Sequence, residues 1–284
     1  MRNRGNTLER QSGWRHCLVA MVLLFSAMVL QAAEGAKLLP GQKITVKLDS
    51  LPPCLLEIKT GKKVNAVMTA TLPDDYTPEK KFPVLLFLQG TEGGDGSGNG
   101  SALFFTGGKG YVALALPLYK KRLNTQGIDI YVNASDFKDI SKAYTSAFEL
   151  LRKEIPNLSD SGWVVGGFSN GAHSIGGILK DSKLKKLFKY YIFAEGGSEI
   201  GPLTSDSEAI LFIGEKSPYG KEGMVINKEG EVKKFPMQFN DMKKKNVKFV
   251  PMPGAGHEFP EEYRLKAKEW LQEKTGEANP VPKK

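Results

Sequence analysis

Short apolar runs alternate along the chain with stretches whose apolar residues recur every three or four positions. The first two runs alternate apolar and polar residues, as half-exposed antiparallel strands do. The later six are continuously apolar, which is typical of parallel strands covered by helices on both faces. Together they predict eight β-strands, at residues 43–48, 64–72, 83–88, 111–116, 163–166, 190–194, 209–213 and 247–251.

The periodic stretches predict four helices between and after these strands. The last begins near Pro260 and buries an apolar face of Tyr263, Leu265, Ala267, Trp270 and Leu271. The other three span about 137–155, 170–187 and 234–245. The order of two strands followed by βα units predicts an α/β fold, with a mostly parallel eight-stranded sheet and helices on both faces. The sixth and seventh strands lie too close in sequence for a large lid between them.

The N-terminus has the layout of a secretory signal peptide. Four arginines precede an apolar run from Cys17 to Leu30, and Ala32 and Ala33 follow it. The run is shorter than the roughly 20 residues that a membrane-spanning helix needs, so we expect cleavage between about residues 32 and 36 and a secreted or periplasmic protein. A retained membrane anchor is the alternative. The chain then divides into a signal peptide (1–33), one globular domain (34–274) and a flexible tail (275–284).

Charge and cysteine content exclude several classes of function. The net charge is +9, and loss of residues 1–33 leaves 36 basic and 30 acidic residues, or +6. The lysines are scattered without interleaved aromatic residues, so we expect no nucleic-acid partner. Only Cys54 remains, so no internal disulfide can form. No cluster of metal ligands and no phosphate-binding or dinucleotide-binding motif appears, so we expect no metal and no cofactor. The oligomeric state stays open.

The sequence Gly167-Phe168-Ser169-Asn170-Gly171 lies where a predicted strand meets a predicted helix. In a G-x-S-x-G turn of this kind the serine adopts a strained backbone conformation that exposes its hydroxyl. The two glycines avoid collisions with the strand and the helix. The motif occurs once in the chain and predicts Ser169 as a nucleophile.

A serine hydroxyl needs a base, and two histidines follow the signal peptide. His257 comes directly after the last predicted strand, and a parallel sheet returns that loop to the edge that holds Ser169. His257 is therefore the predicted base. His173 lies one helical turn beyond Ser169, where a structural or pocket-lining role is expected.

The developing oxyanion needs two N–H donors. One is predicted to be the backbone amide of Asn170, and the other that of Thr91, with Glu92 as second choice. The glycine-rich segment 91–100 either lets substrate approach closely or is a flexible surface loop.

Four stretches resemble the α/β-hydrolase superfamily: FPVLLFLQG, GFSNGAHS, AILFIGEKSPYG and VKFVPMPGAGHEFP. The chain looks most like secreted esterases without large lids, namely enzymes of the dienelactone hydrolase, polyhydroxyalkanoate depolymerase-like and feruloyl esterase-like kinds, and like the catalytic domains of prolyl oligopeptidases. The resemblance covers about residues 40–273. It implies an α/β-hydrolase fold.

The sequence departs from this family at two positions. Gln89-Gly90 stands where His-Gly is usual, and Ser217 stands where the family carries the acid that orients the histidine. A serine cannot offset the charge of an imidazolium. Some superfamily members take the acid from the end of the sixth strand, where this chain has Glu195. Glu195 is the preferred acid, Glu215 is the alternative, and a site without an acid is the third possibility.

The combined prediction is a secreted serine hydrolase that cleaves carboxylic esters through an acyl-enzyme on Ser169. The expected substrate is a small or polymer-borne ester, by analogy with the family. One alternative is a noncatalytic or weakly active binding protein on the same fold, because Ser217 replaces the usual acid. A serine peptidase is a lesser alternative, since the chain is too short to hold the propeller domain of prolyl oligopeptidases.

Overall fold

The computed structural model describes residues 37–49, 51–52, 55, 66–90, 93–119, 134–179, 182–197, 203–221, 225–226, 232–234 and 246–276. Its contacts divide the chain into two units, Met1–Leu38 and Leu39–Lys284, and every helix and strand of the described residues belongs to the second. Several predictions lie outside the described residues: the signal peptide 1–33, Cys54, Thr91, Glu92, helix residues 235–245 and tail residues 277–284.

The described residues form twelve strands and six helices. The strands are β1 (Lys43–Lys47), β2 (Val67–Thr71), β3 (Val84–Leu88), β4 (Gly93–Gly94), β5 (Val112–Ala115), β6 (Leu118–Tyr119), β7 (Trp163–Phe168), β8 (Phe188–Ala194), β9 (Glu208–Gly214), β10 (Val225–Ile226), β11 (Val232–Lys234) and β12 (Val247–Met252). The helices are α1 (Gly100–Thr106), α2 (Ala134–Glu154), α3 (Asn170–Ile178), α4 (Ser182–Lys185), α5 (Pro218–Lys221) and α6 (Glu261–Thr275).

Eight strands form the main sheet in the order β1-β2-β5-β3-β7-β8-β9-β12. β2 runs antiparallel to both of its neighbours, and the five remaining pairings are parallel. All eight predicted strands are confirmed, each within three residues at either end. The prediction that β2 is half-exposed is wrong: its three central residues are buried, and because successive side chains point to opposite faces, both faces of the strand are covered there.

Helices cover both faces of the sheet. Trp163 and Val164 are neighbours in β7 and therefore point to opposite faces. Val164 belongs to the core formed with α1 and α6, whereas the Trp163 ring contacts Phe148 of α2, with ring centroids 5.2 Å apart. α3 packs against β7 and beside α2. The predicted α/β architecture is confirmed, and it places the carboxyl ends of six parallel strands at one edge of the sheet.

The helices differ from the predictions in four places. α3 ends at Ile178 instead of about residue 187. The predicted helix 234–245 overlaps β11, which is formed by residues 232–234. Leu265 is 43% exposed and does not belong to the buried face of α6, because it lies away from the stripe formed by the other four residues. The sequence analysis missed α1, which follows the glycine-rich segment directly.

Candidate active site

Ser169 joins β7 to α3 in a strained conformation, with φ 50° and ψ −116°. Residues with a side chain rarely adopt a positive φ, and such strain is frequent at functional sites. Backbone hydrogen bonds hold it in place: Ser169 N–H donates to the Ala194 carbonyl at 2.9 Å, and His173 N–H donates to the Ser169 carbonyl at 3.0 Å. The turn thus fixes the serine at the carboxyl end of a central strand.

The glycines of the motif are required by close backbone approaches. A Cβ on Gly167 would lie 2.6 Å from the Ala172 nitrogen, and one on Gly171 would lie 2.1 Å from the Leu88 carbonyl oxygen. Both distances are shorter than Cβ contacts ever are, and the atoms in the way are backbone. Any larger residue would displace α3 from the sheet, so the two glycines let the helix start directly behind Ser169.

His257 reaches Ser169 from the loop that follows β12. Its Nε2 atom lies 2.8 Å from Ser169 Oγ, which is hydrogen-bonding distance. Two aromatic rings flank the imidazole, with ring centroids 5.5 Å away for Phe168 and 5.8 Å away for Tyr219. These neighbours restrict the orientation of a side chain that is otherwise partly exposed.

Glu195 follows β8, the strand beside β7, and its carboxylate lies on the far side of the imidazole. Its Oε2 is 3.1 Å from His257 Nδ1, and its Oε1 accepts a hydrogen bond from Gly214 N–H. The side chain is 0% exposed. A buried carboxylate is costly unless it is paired, and here both of its oxygens have donors. With a proton on Nδ1 facing this carboxylate, Nε2 presents its lone pair to the serine hydroxyl.

The other two candidate positions for the acid are occupied differently. Glu215 is exposed, and its Oε2 accepts a hydrogen bond from Gly254 N–H at 2.9 Å. Ser217 is fully buried, and its Oγ accepts from Gly220 N–H at 3.1 Å, as the residue before the short helix α5. The structure therefore brings together Ser169, His257 and Glu195.

His173 contacts a residue that the sequence analysis did not single out. Its Nε2 atom lies 2.7 Å from the hydroxyl of Tyr219, the second residue of α5. Burial, assisted by the charge of nearby His257, lowers the pKa of His173 to about 4, so this imidazole is neutral near pH 7. Tyr219 lies within the stretch GEKSPYG, which carries part of the family resemblance, but nothing in its spacing indicated that it contacts both histidines.

One of the two predicted oxyanion donors lies within the described residues. Asn170 is the first residue of α3, and the backbone N–H groups of a first helical turn have no partner within the helix. Its side chain is fully buried, and neither its nitrogen nor its oxygen has a hydrogen-bond partner. Thr91 and Glu92 lie outside the described residues. Gly90, just before them, packs against the ring of Phe168.

No protein-family model matches the chain, and no curated protein sequence matches it. Solved structures do. One is a protein from Bacteroides ovatus proposed to be a dipeptidyl aminopeptidase IV, with a TM-score of 0.52, 12% identity, 83% of this chain covered and 36% of the other. A Rhizomucor miehei esterase gives a TM-score of 0.50, 14% identity and 90% coverage of each chain. The acylaminoacyl peptidase of Pyrococcus horikoshii gives a TM-score of 0.50 and 13% identity, with 89% of this chain and 42% of the other covered.

These similarities establish the class of fold. The chain has the α/β-hydrolase fold, as its motifs predicted. It spans about a third of the length of the Bacteroides ovatus protein and less than half of the Pyrococcus horikoshii peptidase. At these levels of identity the likeness concerns the fold alone.

Proposed function

We propose that this protein is a serine hydrolase that cleaves carboxylic esters through an acyl-enzyme. The observation that carries the proposal is the chain of contacts from Ser169 Oγ to His257 Nε2 at 2.8 Å and from His257 Nδ1 to Glu195 at 3.1 Å. A nucleophile, a base and an acid that orients the base are the three groups that acyl transfer by a serine requires.

In the proposed first half-reaction Ser169 Oγ attacks the ester carbonyl while its proton passes to His257 Nε2. The new oxygen–carbon bond places negative charge on the carbonyl oxygen, which the Asn170 N–H and a second donor, proposed to be the Thr91 N–H, would stabilise. Collapse of the intermediate breaks the bond to the alcohol, which leaves with the proton from His257. Glu195 stabilises the imidazolium while it exists.

In the second half-reaction water takes the place of the alcohol. It gives a proton to His257 Nε2 as its oxygen attacks the acyl carbon, and Ser169 leaves with that proton to restore the free enzyme. The position of Glu195 also weighs against the noncatalytic alternative. That alternative rested on the serine at position 217, and a buried carboxylate beside His257 supplies an acid from another strand.

The test is the hydrolysis of 4-nitrophenyl acetate by the purified protein and by Ser169→Ala. We expect turnover by the wild type and none above background by the variant. A matched control is Ser161→Ala, an exposed serine in the turn before β7, which should leave the rate unchanged. Equal turnover by the wild type and Ser169→Ala would contradict the proposal.

We also propose that the protein is exported and loses residues 1–33. The charged and apolar pattern of that segment supports the proposal. None of the helices in the described part of the chain combines the length and the apolar character of a membrane span. Mass spectrometry of protein secreted by an expressing cell should find a first residue between about 32 and 36. Intact protein that retains Met1 in the membrane fraction would contradict it.

A further inference from the structure

A cavity of about 420 Å³ lies at the same edge of the sheet as Ser169. It lies at the carboxyl ends of β3 and β5 and is also lined by the glycine-rich segment 94–98. Its volume is within the range of small-molecule binding sites. The mechanism proposed above makes no use of it.

The cavity adjoins the catalytic turn through Gln89, which lines it. The preceding residue, Leu88, pairs with Gly167 in the sheet, and the carbonyl oxygens of Leu88 and Gln89 both lie against Gly171. The next residue, Gly90, packs on the ring of Phe168. One end of the cavity is thus one strand away from Ser169, in the loop from which the second oxyanion donor is proposed to come.

The floor and the rim of the cavity differ in chemistry. The floor is apolar and buried, and it consists of Phe87, Ala115 and Leu116. The rim is open to solvent at Ser97, Gly98 and Gly100. A ligand could therefore enter from the surface and place its apolar part against this floor.

The walls carry hydrogen-bonding groups and one negative charge. Gln89 Nε2 donates to Ser101 Oγ at 3.1 Å, and Asp95 accepts from the N–H and the hydroxyl of Ser97. Among the described residues that line the cavity there is no Lys, Arg or His. A carboxylate accepts hydrogen bonds and repels anions, so these walls favour a neutral ligand that carries donors.

We propose that this cavity binds an uncharged polyhydroxylated group, such as a sugar unit, of the ester substrate. The inference rests on the proposed serine hydrolase activity and specifies its substrate class. Hydroxyl groups would meet Gln89, Asp95 and Ser101, and the apolar side of the group would lie against the buried floor of the cavity. The glycine-rich segment then has a function in binding, because backbone without side chains leaves the volume open.

The experiment compares two pairs of esters that differ in hydroxyl groups. Glucose 6-acetate and cyclohexyl acetate differ on the alcohol side, and methyl glucuronate and methyl cyclohexanecarboxylate differ on the acyl side. We expect the wild type to prefer the hydroxylated member by about 10-fold or more in kcat/KM in at least one pair, since a site built for hydroxyl groups disfavours analogues that lack them. The pair that shows the preference identifies the side of the ester that the cavity holds.

Gly98→Phe adds a bulky side chain to the rim of the cavity, as a filling variant, and should reduce that preference by about 10-fold. A Cβ on Gly98 meets no atom within 4 Å, so the new side chain can be accommodated, and the same is true of Gly94, where Gly94→Leu is a second filling variant. Leu265→Ala, an exposed position on α6, is the control and should leave the preference unchanged. Thermal unfolding confirms that each variant is folded.

Two outcomes would overturn the inference: no preference for the hydroxylated ester in either pair, or a preference that both folded filling variants retain. Failure of the proposed function gives a different result, because then Ser169→Ala would not abolish hydrolysis of any of the four esters. If ester hydrolysis depends on Ser169 but shows no preference for hydroxylated esters, the proposed hydrolase activity is supported and only the inference about the cavity is contradicted.

Discussion

The loops that follow β8 and β9 each bring a side chain to one of the two described histidines, but these side chains differ in chemistry. The first loop places the carboxylate of Glu195 on His257, and the second places the phenol of Tyr219 on His173. A carboxylate can stabilise an imidazolium that forms during a reaction, whereas a phenol carries no charge that could do so. His173 is neutral near pH 7 because burial, assisted by the charge of His257, lowers its pKa to about 4.

The difference also explains how the site tolerates Ser217. The acid of the resembling family belongs to the loop after β9, and here that loop carries a buried serine and an exposed Glu215. The carboxyl ends of neighbouring parallel strands lie side by side, so an acid can come from β8 and still reach the same imidazole. Position in the sheet matters more than position in the sequence.

The largest expected effect is that of removing the proposed base. His257→Ala should lower kcat for 4-nitrophenyl acetate by about 10⁵-fold, since Ser169 would have no proton acceptor. His173→Gln is the matched control, and its loss should be smaller by several orders of magnitude. The measurement is steady-state turnover of both variants. Similar losses of kcat in both variants would show that the two histidines do not differ in their contribution to catalysis.

Glu195→Gln should have the second-largest effect, a loss of about 10⁴-fold in kcat. A glutamine amide cannot stabilise the imidazolium, and it can stabilise the wrong tautomer of His257. The variant should still bind substrate, so KM should change little. A loss below about 10-fold, in protein with the unfolding temperature of the wild type, would show that this carboxylate does not orient the base.

His173 should make stability depend on pH. Because its pKa in the folded protein is about 4 and its ordinary value is 6.5, the unfolded chain binds more protons between these values. The free energy of unfolding should therefore fall as the pH is lowered from 6.5 to 4, with at most about 3 kcal/mol due to this group. His173→Gln should lose less stability over that interval in urea unfolding. Parallel curves for wild type and variant would contradict the assignment.

Ser217→Ala should lower the free energy of unfolding by about 1 kcal/mol and leave ester hydrolysis unchanged. The Ser217 hydroxyl accepts the Gly220 N–H in a buried turn, and its removal leaves that donor without a partner. Urea unfolding and turnover measured on the same preparation would check both parts. Loss of activity without loss of stability would contradict this prediction, because it would show that Ser217 has a catalytic role.

The smallest expected effect belongs to Glu215→Gln, with kcat/KM within about twofold of the wild type. The glutamine carbonyl can still accept the Gly254 N–H, and an exposed charge contributes little. Measuring kcat/KM for this variant and for Glu195→Gln under the same conditions compares the two carboxylates directly. Losses of similar size at the two positions would mean that neither carboxylate is specific to His257.

Much of the fold was predictable because its signals are local. Alternating and continuous apolar runs identified the strands of the main sheet, and the spacing of glycines around Ser169 identified the turn, since both depend on residues that are close in sequence. The short helix α1 was missed because seven residues after a glycine-rich segment show too little periodicity. Leu265 was misplaced because periodicity gives the buried face of α6 only approximately.

The choice between Glu195 and Glu215 depended on information that is not local. Glu195 reaches the imidazole from a backbone with φ 53°, a conformation that its residue type gives no reason to expect. The contact of Tyr219 with both histidines likewise depends on how the loop after β9 packs on α3. Contacts of this kind arise from tertiary packing, which a single sequence does not reveal.

Labelling with a fluorophosphonate probe, followed by mass spectrometry of the peptides, tests the central claim most directly. The probe reacts covalently with a serine only when a base has activated it. The account predicts one label per chain, on Ser169, with labelling abolished in Ser169→Ala and strongly slowed in His257→Ala and Glu195→Gln. A folded protein that takes up no label, or takes it up on another residue, would contradict the account.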